Sequence, residues 1–478
     1  MNSGSGRTHP ESDIRRDGGG DAPAGTARPR SSLRIAGLLL SPVLLSILFT
    51  LALVAACLIP RSAIEHNARA SARAILPLGG YPRAFHIPSK AFQLDYYTDS
   101  IMLNLAYEVD ARHPLHAAMA DSETVSSLDQ APLLMLGRLA FDRDIQRLSY
   151  ARYWHGYLVY LRPLLVWFDH AAILLILGGA LALMTLLLLR ALFRADRALA
   201  LPLAAGLVLT NVVTVVQSLQ LVQTYLIAVA FSLWMARTRR RSAAFHTFVF
   251  LLAGGVTAFF DVLTAPLMTW GLPLLVILHV LHRERLVPDA RRGLALIVRS
   301  AAAWSYAYVG CWASKWLLAS VILRRDVLAD AFEQIAFRAG SRGTNVSQMV
   351  DTLVGFAVPV RISAGLVNIG ALLEWDNRSR LILNCGLYAA LALGALAFLA
   401  AFRKRALESG WLLLLVLVAA APYTWYAVTA EHAARHYWFT YRSQVVTIAA
   451  LGCAWVHAVD WPRLTARWTR PTGRAGGA

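Results

Sequence analysis

The stretch that decides the fold is "AAILLILGGALALMTLLLLRALF" at residues 171–193, in which Arg190 is the single charged residue. An apolar run of about 18 residues or more is long enough to cross a bilayer as an α-helix. Several further runs of comparable length occur along the chain. The sequence therefore predicts an all-α polytopic membrane protein.

The composition agrees with this class. Of the 478 residues, 57% are hydrophobic and 15% are charged, with a mean hydropathy of +0.50, whereas soluble domains carry about 25% charged residues. A net charge of +18 is also typical of nucleic-acid-binding proteins. In membrane proteins, however, Lys and Arg collect in cytoplasmic loops. Their placement, described next, favours a topology signal and predicts no nucleic-acid partner.

We predict about ten transmembrane helices. They cover residues 35–59, 171–193, 198–217, 219–236, 244–263, 266–282, 295–323, 382–402, 410–428 and 443–460. Residues 1–34 are rich in Gly, Ser, Pro and Arg and predict a disordered tail. A transmembrane domain then covers 35–460, and a second tail covers 461–478.

Short basic segments set the predicted orientation. With ten spans, the basic residues after the second, fourth, sixth and eighth helices and in the last tail all fall on the side of the basic N-terminal tail. That side is the cytoplasm by the positive-inside rule. Residues 351–373 are also apolar, but Pro359 and Arg361 lie near the middle. We expect an interfacial or re-entrant segment there, with an eleventh span as the alternative.

This topology gives the outer side two long loops, residues 60–170 and 324–381. All four cysteines fall inside apolar segments, so no disulfide framework is predicted. The phosphate-binding GxxxxGK[ST] motif, the GxSxG motif of hydrolases and the HExxH motif of metalloproteases do not occur. An ATP-driven or soluble-type enzyme is therefore disfavoured.

The first two candidate site residues along the chain are carboxylates. "FQLDYYTDSIMLN" at 92–104 places Asp95 and Asp99 four residues apart, on one face of a helix. Like charges at this spacing repel, and each raises the pKa of the other. We predict a catalytic pair, in which either acid is the general base; a solvated helix with two incidental acids is the alternative.

An aromatic segment precedes the second predicted span. In "RYWHGYLVYLRP" at 152–163 the aromatic side chains recur at helical spacing. This pattern predicts a helix over 149–165 lying along the outer membrane surface. Arg152 and His155 lie off the aromatic stripe and are predicted to bind substrate. Gly156 indicates that another group packs closely there.

Two further charged residues lie within or beside predicted spans. Asp261 stands in the apolar stretch "FFDVLTAP", and Lys315 lies inside the seventh span. Charged side chains at such positions are expected to be paired or functional. We predict that both line a substrate-binding cavity; a hairpin cap for Asp261 and outward snorkelling for Lys315 are the alternatives.

The last outer segment is "EHAARHYWFTYR" at 431–442. His432 and His436 have a spacing that can bind a metal on a helix, but without further ligands no metal site is predicted. His436 and Arg442 are predicted to bind substrate, since an arginine fork matches phosphate oxygens.

This pattern resembles the GT-C class of integral membrane glycosyltransferases. The resemblance covers roughly residues 35–460: many spans, a large first extracytoplasmic loop, and acidic residues early in that loop, here "LDYYTD" at 94–99. Many members have adjacent or near-adjacent acids, whereas the spacing here is four. The resemblance is stronger in architecture than in sequence.

The resemblance implies transfer of a sugar from a polyprenyl-phosphate donor to a glycan, lipid or protein acceptor on the outer face of a cell membrane of the bacterial inner or plasma-membrane type. It leaves a divalent metal open as the one cofactor. Three alternatives stay open: a transporter or flippase of lipid-linked sugars, a polysaccharide polymerase or ligase, and a non-enzymatic assembly or export subunit.

Overall fold

The computed structural model describes residues 29–86, 92–120, 151–195, 197–238, 241–287, 289–340, 359–373, 392–396, 401–402 and 410–462. Within these ranges every regular element is helical, and extended segments pair only in two isolated bridges, Arg83 with Gln93 and Phe402 with Val459. The all-α prediction is therefore confirmed. Residues 1–28 and 463–478, most of the two predicted tails, lie outside the described residues.

The α-helices follow one another in this order: α1 (Pro29–Cys57), α2 (Arg61–Ile75), α3 (Tyr96–Glu108), α4 (Pro114–Ala120), α5 (Leu158–Leu165), α6 (His170–Ala195), α7 (Arg197–Leu209), α8 (Val212–Val215), α9 (Leu219–Arg237), α10 (Ala243–Phe260), α11 (Met268–Arg283), α12 (Ala290–Leu323), α13 (Val327–Arg338), α14 (Val360–Leu373), α15 (Trp411–Ala419), α16 (Ala421–Val428), α17 (Ala430–Arg435), α18 (Tyr437–Thr440) and α19 (Val445–Ala458). Short 3₁₀ turns include Tyr441–Gln444, directly before α19.

Six helical stretches in the described part of the chain are long and apolar enough to cross a membrane. They are α1 from Gly37 onward, α6, α9, α10, α12, and α15 together with α16. Helices α7, α11 and α14 are apolar but shorter. These features are those of a multi-pass helical membrane protein. The ten-span topology and its orientation stay predictions, and most of the predicted span 382–402 lies outside the described residues.

Two predicted boundaries are wrong. Helix α1 begins at Pro29, so residues 29–34 belong to the helix rather than to a disordered tail. Proline is favoured at a first helical position because its missing N–H has no intrahelical partner there anyway. The predicted span 198–217 is interrupted: α7 ends at Leu209, and Asn211 takes a left-handed conformation with φ 59°, which Asn tolerates better than most residues.

Within the predicted first loop, α2, α3 and α5 are fastened to the end of α1. The buried guanidinium of Arg162 donates hydrogen bonds to the carbonyl oxygens of Ala56, Ile59 and Ala106. The first two of these carbonyls lie at the C-terminal end of α1, where a cation is favourable. This part of the loop is therefore held against the bundle.

The predicted surface helix over 149–165 is wrong in its first half. Residues 151–157 form turns, and helix α5 begins only at Leu158. Tyr153 and Trp154 are buried rather than membrane-facing. Gly156 explains the difference, because its N–H donates to the Phe259 carbonyl over 3.0 Å and a Cβ there would lie 2.4 Å from the same oxygen. The expected close packing at Gly156 is confirmed, and its partner is the end of α10.

Small residues also let α10 and α12 approach closely. A Cβ at Gly254 would lie 2.1 Å from the Trp304 carbonyl oxygen, so only glycine fits between these helices. Thr269 of α11 ties the pair together, since its hydroxyl accepts from Trp304 Nε1 at 3.1 Å and lies 2.6 Å from the Thr257 hydroxyl. The start of α11 is thereby fixed against α10 and α12.

Candidate functional site

Polar side chains collect at the first turns of α9, where the sequence reads "SLQLVQT" at 218–224. Gln220, Gln223 and Thr224 lie three and four residues apart and so share one face of the helix. All three are buried, and α9 is 72% buried over its apolar stretch, more than the other candidate spans. Two carboxylates from elsewhere in the chain accept hydrogen bonds from this segment.

Asp99, which lies on α3, caps the N-terminal end of α9. Its carboxylate accepts hydrogen bonds from the Ser218 hydroxyl at 3.0 Å and from the backbone N–H groups of Leu219 at 3.1 Å and Gln220 at 3.3 Å. His170 Nε2 lies 2.9 Å from the same carboxylate. The first N–H groups of a helix lack intrahelical partners and favour a negative charge. Asp99 therefore joins α3, α6 and α9 through a fully engaged carboxylate.

Asp95 has a different environment. It caps its own helix, accepting from the Thr98 N–H at 3.0 Å and the Thr98 hydroxyl at 2.8 Å, and it is only 2% exposed. Burial raises the pKa of Asp95 to about 7 against the opposing effect of these hydrogen bonds; the negative charge of Asp99 raises it further and Arg442 lowers it. Asp95 therefore exchanges a proton near neutral pH.

Arg442 provides the positive charge of this neighbourhood. It lies in the 3₁₀ turn before α19, is 1% exposed, and donates to the Trp438 carbonyl at 2.8 Å and to the Thr214 hydroxyl at 2.6 Å. Its guanidinium carbon lies 5.0 Å from the centre of the Tyr441 ring. Arg442 acts electrostatically on Asp95, so the 3₁₀ turn before α19 supplies a positive charge that acts on the start of α3.

Aromatic rings lie beside this charged pair in the chain and in space. Tyr97 stacks on Tyr81 with ring centres 5.6 Å apart, and Tyr81 meets Trp438 edge-on at 5.5 Å. Tyr81 is 45% exposed. Tyr97 and Trp438 belong to the segments that carry Asp95 and Arg442, and both rings contact the exposed Tyr81. Such rings offer flat apolar faces with polar edges.

Asp261 is the second carboxylate bound to α9. It ends α10 and accepts from the Thr224 hydroxyl at 2.5 Å and from the Thr264 N–H at 3.2 Å. Burial raises the pKa of Asp261 to about 6, partly offset by these hydrogen bonds. The same turn is held from the other side, since His432 Nε2 donates to the Leu263 carbonyl at 2.9 Å.

Two glutamine side chains on α9 have an atom without a partner in the described parts of the chain. Gln220 Nε2 donates to the Thr264 hydroxyl at 3.1 Å, while Gln220 Oε1 has no partner there; Gln223 Oε1 accepts from the Tyr160 hydroxyl at 3.3 Å, while Gln223 Nε2 has none. A buried polar atom left in this state costs about 1–3 kcal/mol. One acceptor and one donor thus stay open for a bound molecule.

Lys315 lies in a second neighbourhood, around α4. It is fully buried, and its Nζ donates to the carbonyl oxygens of Ala118 at 3.3 Å and Met119 at 3.1 Å. Nζ also lies 5.6 Å from the centre of the Trp154 ring. A cation at the last carbonyls of a helix is stabilising, so Lys315 fastens α4 to α12.

Arg152 and His155 belong to this second neighbourhood. Arg152 pairs with Asp330 of α13 at 3.2 Å. His155 takes a left-handed backbone with φ 50°, and its Nδ1 lies 2.9 Å from the Tyr157 hydroxyl. Both side chains thereby hold the buried turn 151–157 in place.

His436 lies in the turn after α17, where it faces His432 with ring centres 4.8 Å apart. Burial, together with the nearby positive charges of Arg338 and Arg435, lowers the pKa of His436 to about 4. Burial and neighbouring positive groups also hold the pKa of His432 well below its usual range. Glu431 forms an ion pair with Arg435 at 2.7 Å. At neutral pH both imidazoles are therefore neutral hydrogen-bonding groups.

The predicted site residues thus divide into sets. Arg442 acts electrostatically on Asp95, and Asp99 and Asp261 are bound to the start of α9. The remaining four lie around other turns: Arg152, His155, Lys315 and His436. Sequence reasoning missed the α9 glutamines because their segment was counted only as a span, although polar residues within such runs are themselves a functional signal.

A cavity of about 730 Å³ lies elsewhere, where α10 begins, α11 ends and α12 begins. Its charged lining consists of Arg241, Glu284, Arg292 and Arg299, beside His246. Arg241 and Arg292 belong to short basic segments that the sequence places in the cytoplasm.

No family model matches this chain. The search of curated proteins and the search of solved structures likewise give no match.

Proposed function

We propose that the protein is a glycosyltransferase of a cell membrane, of the bacterial inner or plasma-membrane type, which crosses the membrane about ten times. It would take a sugar from a polyprenyl-phosphate donor and transfer it to a glycan, lipid or protein on the outer face. The observation that carries the proposal is the pair of Asp95, whose pKa is about 7, and Arg442. A general base works best when its pKa lies near the working pH.

In the proposed reaction, the Asp95 carboxylate takes the proton of an acceptor hydroxyl. The hydroxyl oxygen then forms a bond to the anomeric carbon of the donor sugar, and the bond from that carbon to the phosphate oxygen breaks. The polyprenyl phosphate leaves with the bonding electron pair. Arg442 stabilises this developing charge, since guanidinium donors fit phosphate oxygens.

The two acids receive different roles. Asp99 has hydrogen bonds to Ser218, to two N–H groups of α9 and to His170, which engage both of its carboxylate oxygens. Asp99 is therefore assigned as a positioning residue that also raises the pKa of Asp95. Asp95 is assigned as the base.

The open amide atoms of Gln220 and Gln223 suit a sugar, because each hydroxyl both donates and accepts hydrogen bonds. The aromatic faces of Tyr81, Tyr97 and Trp438 suit the C–H face of a sugar ring or a prenyl chain. Arg152, His155 and Lys315 are not assigned to the donor in this proposal, because their contacts hold turns and helix ends.

The test compares three variants made in the full chain. Asp95→Asn should lower the amount of the glycan product per protein by about 10²–10⁴-fold, and Asp95→Glu should restore part of it. Asp110→Asn is the matched control, since Asp110 lies in the same segment but is 43% exposed and pairs with Arg112. Product is measured by mass spectrometry of envelope glycans, with and without the gene.

Normal glycan levels in Asp95→Asn, with normal protein level in the membrane, would remove the base assignment. Unchanged glycans after deletion of the gene would remove the proposal as a whole.

A transporter of lipid-linked sugars is the second candidate, because transporters use interrupted helices. Here the break between α15 and α16 and the left-handed turn at Asn211 favour it. A transporter moves the lipid-linked sugar without breaking its bond to phosphate. Release of free polyprenyl phosphate by the purified protein would therefore exclude transport as the sole activity.

A further inference from the structure

A cluster of metal-ligating side chains lies between the ends of α11 and α19. Cys453 and His457 are one turn apart on α19, so they share a face of that helix. His279 approaches them from α11. The ligating atoms of these three residues all lie within 4.8 Å of one another.

The distances suit a tetrahedral ion. With a Zn–S bond of about 2.3 Å and a Zn–N bond of about 2.1 Å, a sulfur and a nitrogen ligand of one zinc ion lie about 3.6 Å apart. Cys453 Sγ and His279 Nδ1 are 3.6 Å apart. The third ligating atom, from His457, lies within 4.8 Å of both.

The ligand types decide the class of metal. One thiolate and two imidazoles suit zinc and other borderline or soft ions, whereas Mg²⁺ and Ca²⁺ require oxygen ligands. Cys453 and His279 are buried, and His457 is partly buried. Trp411 borders the cluster, with its ring centre 6.3 Å from that of His279 and 6.1 Å from that of His457.

We infer that His279, Cys453 and His457 form a zinc-type metal site that fastens α19 to α11. His279 lies 11 residues after the start of α11, about 17 Å along the helix, and so away from the Asp261 turn that precedes this helix. Cys453 lies 8 residues after the start of α19, about 12 Å along that helix, and so away from the 3₁₀ turn that carries Arg442. The role of the site is to fix α19, which directly follows that turn, and it does not depend on the proposed sugar transfer.

The test uses the full chain in detergent, purified through a tag without histidines. After equilibration with Zn²⁺ and gel filtration, elemental mass spectrometry should find about one zinc ion per chain. Cys453→Ala and His457→Ala should each lower this content at least about tenfold. Cys311→Ala is the matched control, because Cys311 is equally buried but lies outside the cluster, and it should keep the zinc.

A second measurement needs no variant. Co²⁺ bound to the wild-type protein should give the near-ultraviolet absorption of a thiolate–cobalt bond, which Zn²⁺ should abolish by displacement. Zinc below about a tenth of an ion per wild-type chain would overturn the inference, because Cys453 and His279 would then form a hydrogen bond only. Zinc retained in folded Cys453→Ala would overturn it as well.

Discussion

Asp95 and Asp99 are four residues apart and have the same side chain, yet their surroundings give them different properties. Asp99 is bound by the N–H groups that begin α9. Asp95 is buried, and within the described residues its hydrogen-bond donors both come from Thr98. Desolvation penalises the charged form of an acid. The residue with fewer donors is therefore the one whose proton exchanges near neutral pH.

This difference predicts a pH-dependent stability. The folded pKa of Asp95, about 7, lies above its value of 3.8 in the unfolded chain, so the folded state binds the proton more tightly. The wild-type protein should lose stability as pH rises from about 4 to 7, by at most ~4 kcal/mol from this group. Asp95→Asn cannot ionise and should lose less. The measurement is the thermal unfolding midpoint of both proteins in detergent across this range.

Asp261 also titrates in this range, but it is present in both proteins, so its effect cancels in the comparison. If the unfolding midpoints of wild type and Asp95→Asn change in parallel with pH, the raised pKa of Asp95 is contradicted.

At the scale of elements, the buried turn 151–157 is joined to the end of α10 by a backbone hydrogen bond, from the Gly156 N–H to the Phe259 carbonyl. We call this contact the joint. The aromatic periodicity of the segment predicted one surface helix, but a helix passing through Gly156 would not present its N–H to the Phe259 carbonyl. The turn satisfies that carbonyl and buries Tyr153 and Trp154. In the turn, Trp154 Nε1 donates to the Cys311 carbonyl at 2.9 Å and the Tyr153 ring packs edge-on against Trp312, contacts that a lipid-facing helix would not make.

This joint predicts that Gly156→Ala destabilises the protein. A Cβ would lie 2.4 Å from the Phe259 carbonyl oxygen and 2.7 Å from the Phe259 ring, so backbone must move; a cost of about 1–3 kcal/mol is expected. Gly179→Ala in α6 is the control, since a Cβ there meets nothing within 4 Å and alanine favours a helix. Thermal unfolding in detergent should rank Gly156→Ala below wild type and Gly179→Ala at or above it. Equal thermal unfolding midpoints for the two variants would contradict the prediction, because the added Cβ at position 156 would then be accommodated without loss of stability.

At the scale of the whole molecule, the side of the membrane on which Asp95 lies is the decisive question for function. A polyprenyl-phosphate sugar is used on the outer face in the proposed reaction. The basic segment 282–292 and the segment that carries Asp95 fall on opposite sides in the ten-span prediction. The six long apolar helices agree with a membrane protein without fixing its orientation.

Cysteine labelling tests this topology. Arg112→Cys, whose native side chain is 86% exposed, should react with a membrane-impermeant maleimide from outside intact cells. Arg283→Cys, at the exposed end of α11, should react only after permeabilisation. A Cys385→Ala chain is the background for both variants, since Cys385 lies outside the described residues while Cys57, Cys311 and Cys453 are buried. Labelling of Arg112→Cys only after permeabilisation would place Asp95 on the wrong side for the proposed transfer.

The amino-acid sequence alone determined the class of the protein: helical, apolar and multi-pass. It also placed the segments that carry Asp95 and Arg442 on the same side of the membrane, which stays a prediction. Hydropathy and helical spacing are properties of a short window of chain, which is why these features were accessible without a structure. The polar face of α9 was missed, but it could have been predicted from the sequence, because two glutamines stand there in an apolar run.

Only the tertiary structure decided which acid is free to act, why Lys315 is buried, and where α7 ends. Each of these depends on contacts between distant segments: Asp99 with α9, Lys315 with the end of α4, and Arg442 with Thr214 in the turn after α7. The pKa of a carboxyl group and the satisfaction of a buried charge are set by the groups that replace water around it. Those groups are brought together by packing, and no local pattern of residues names them.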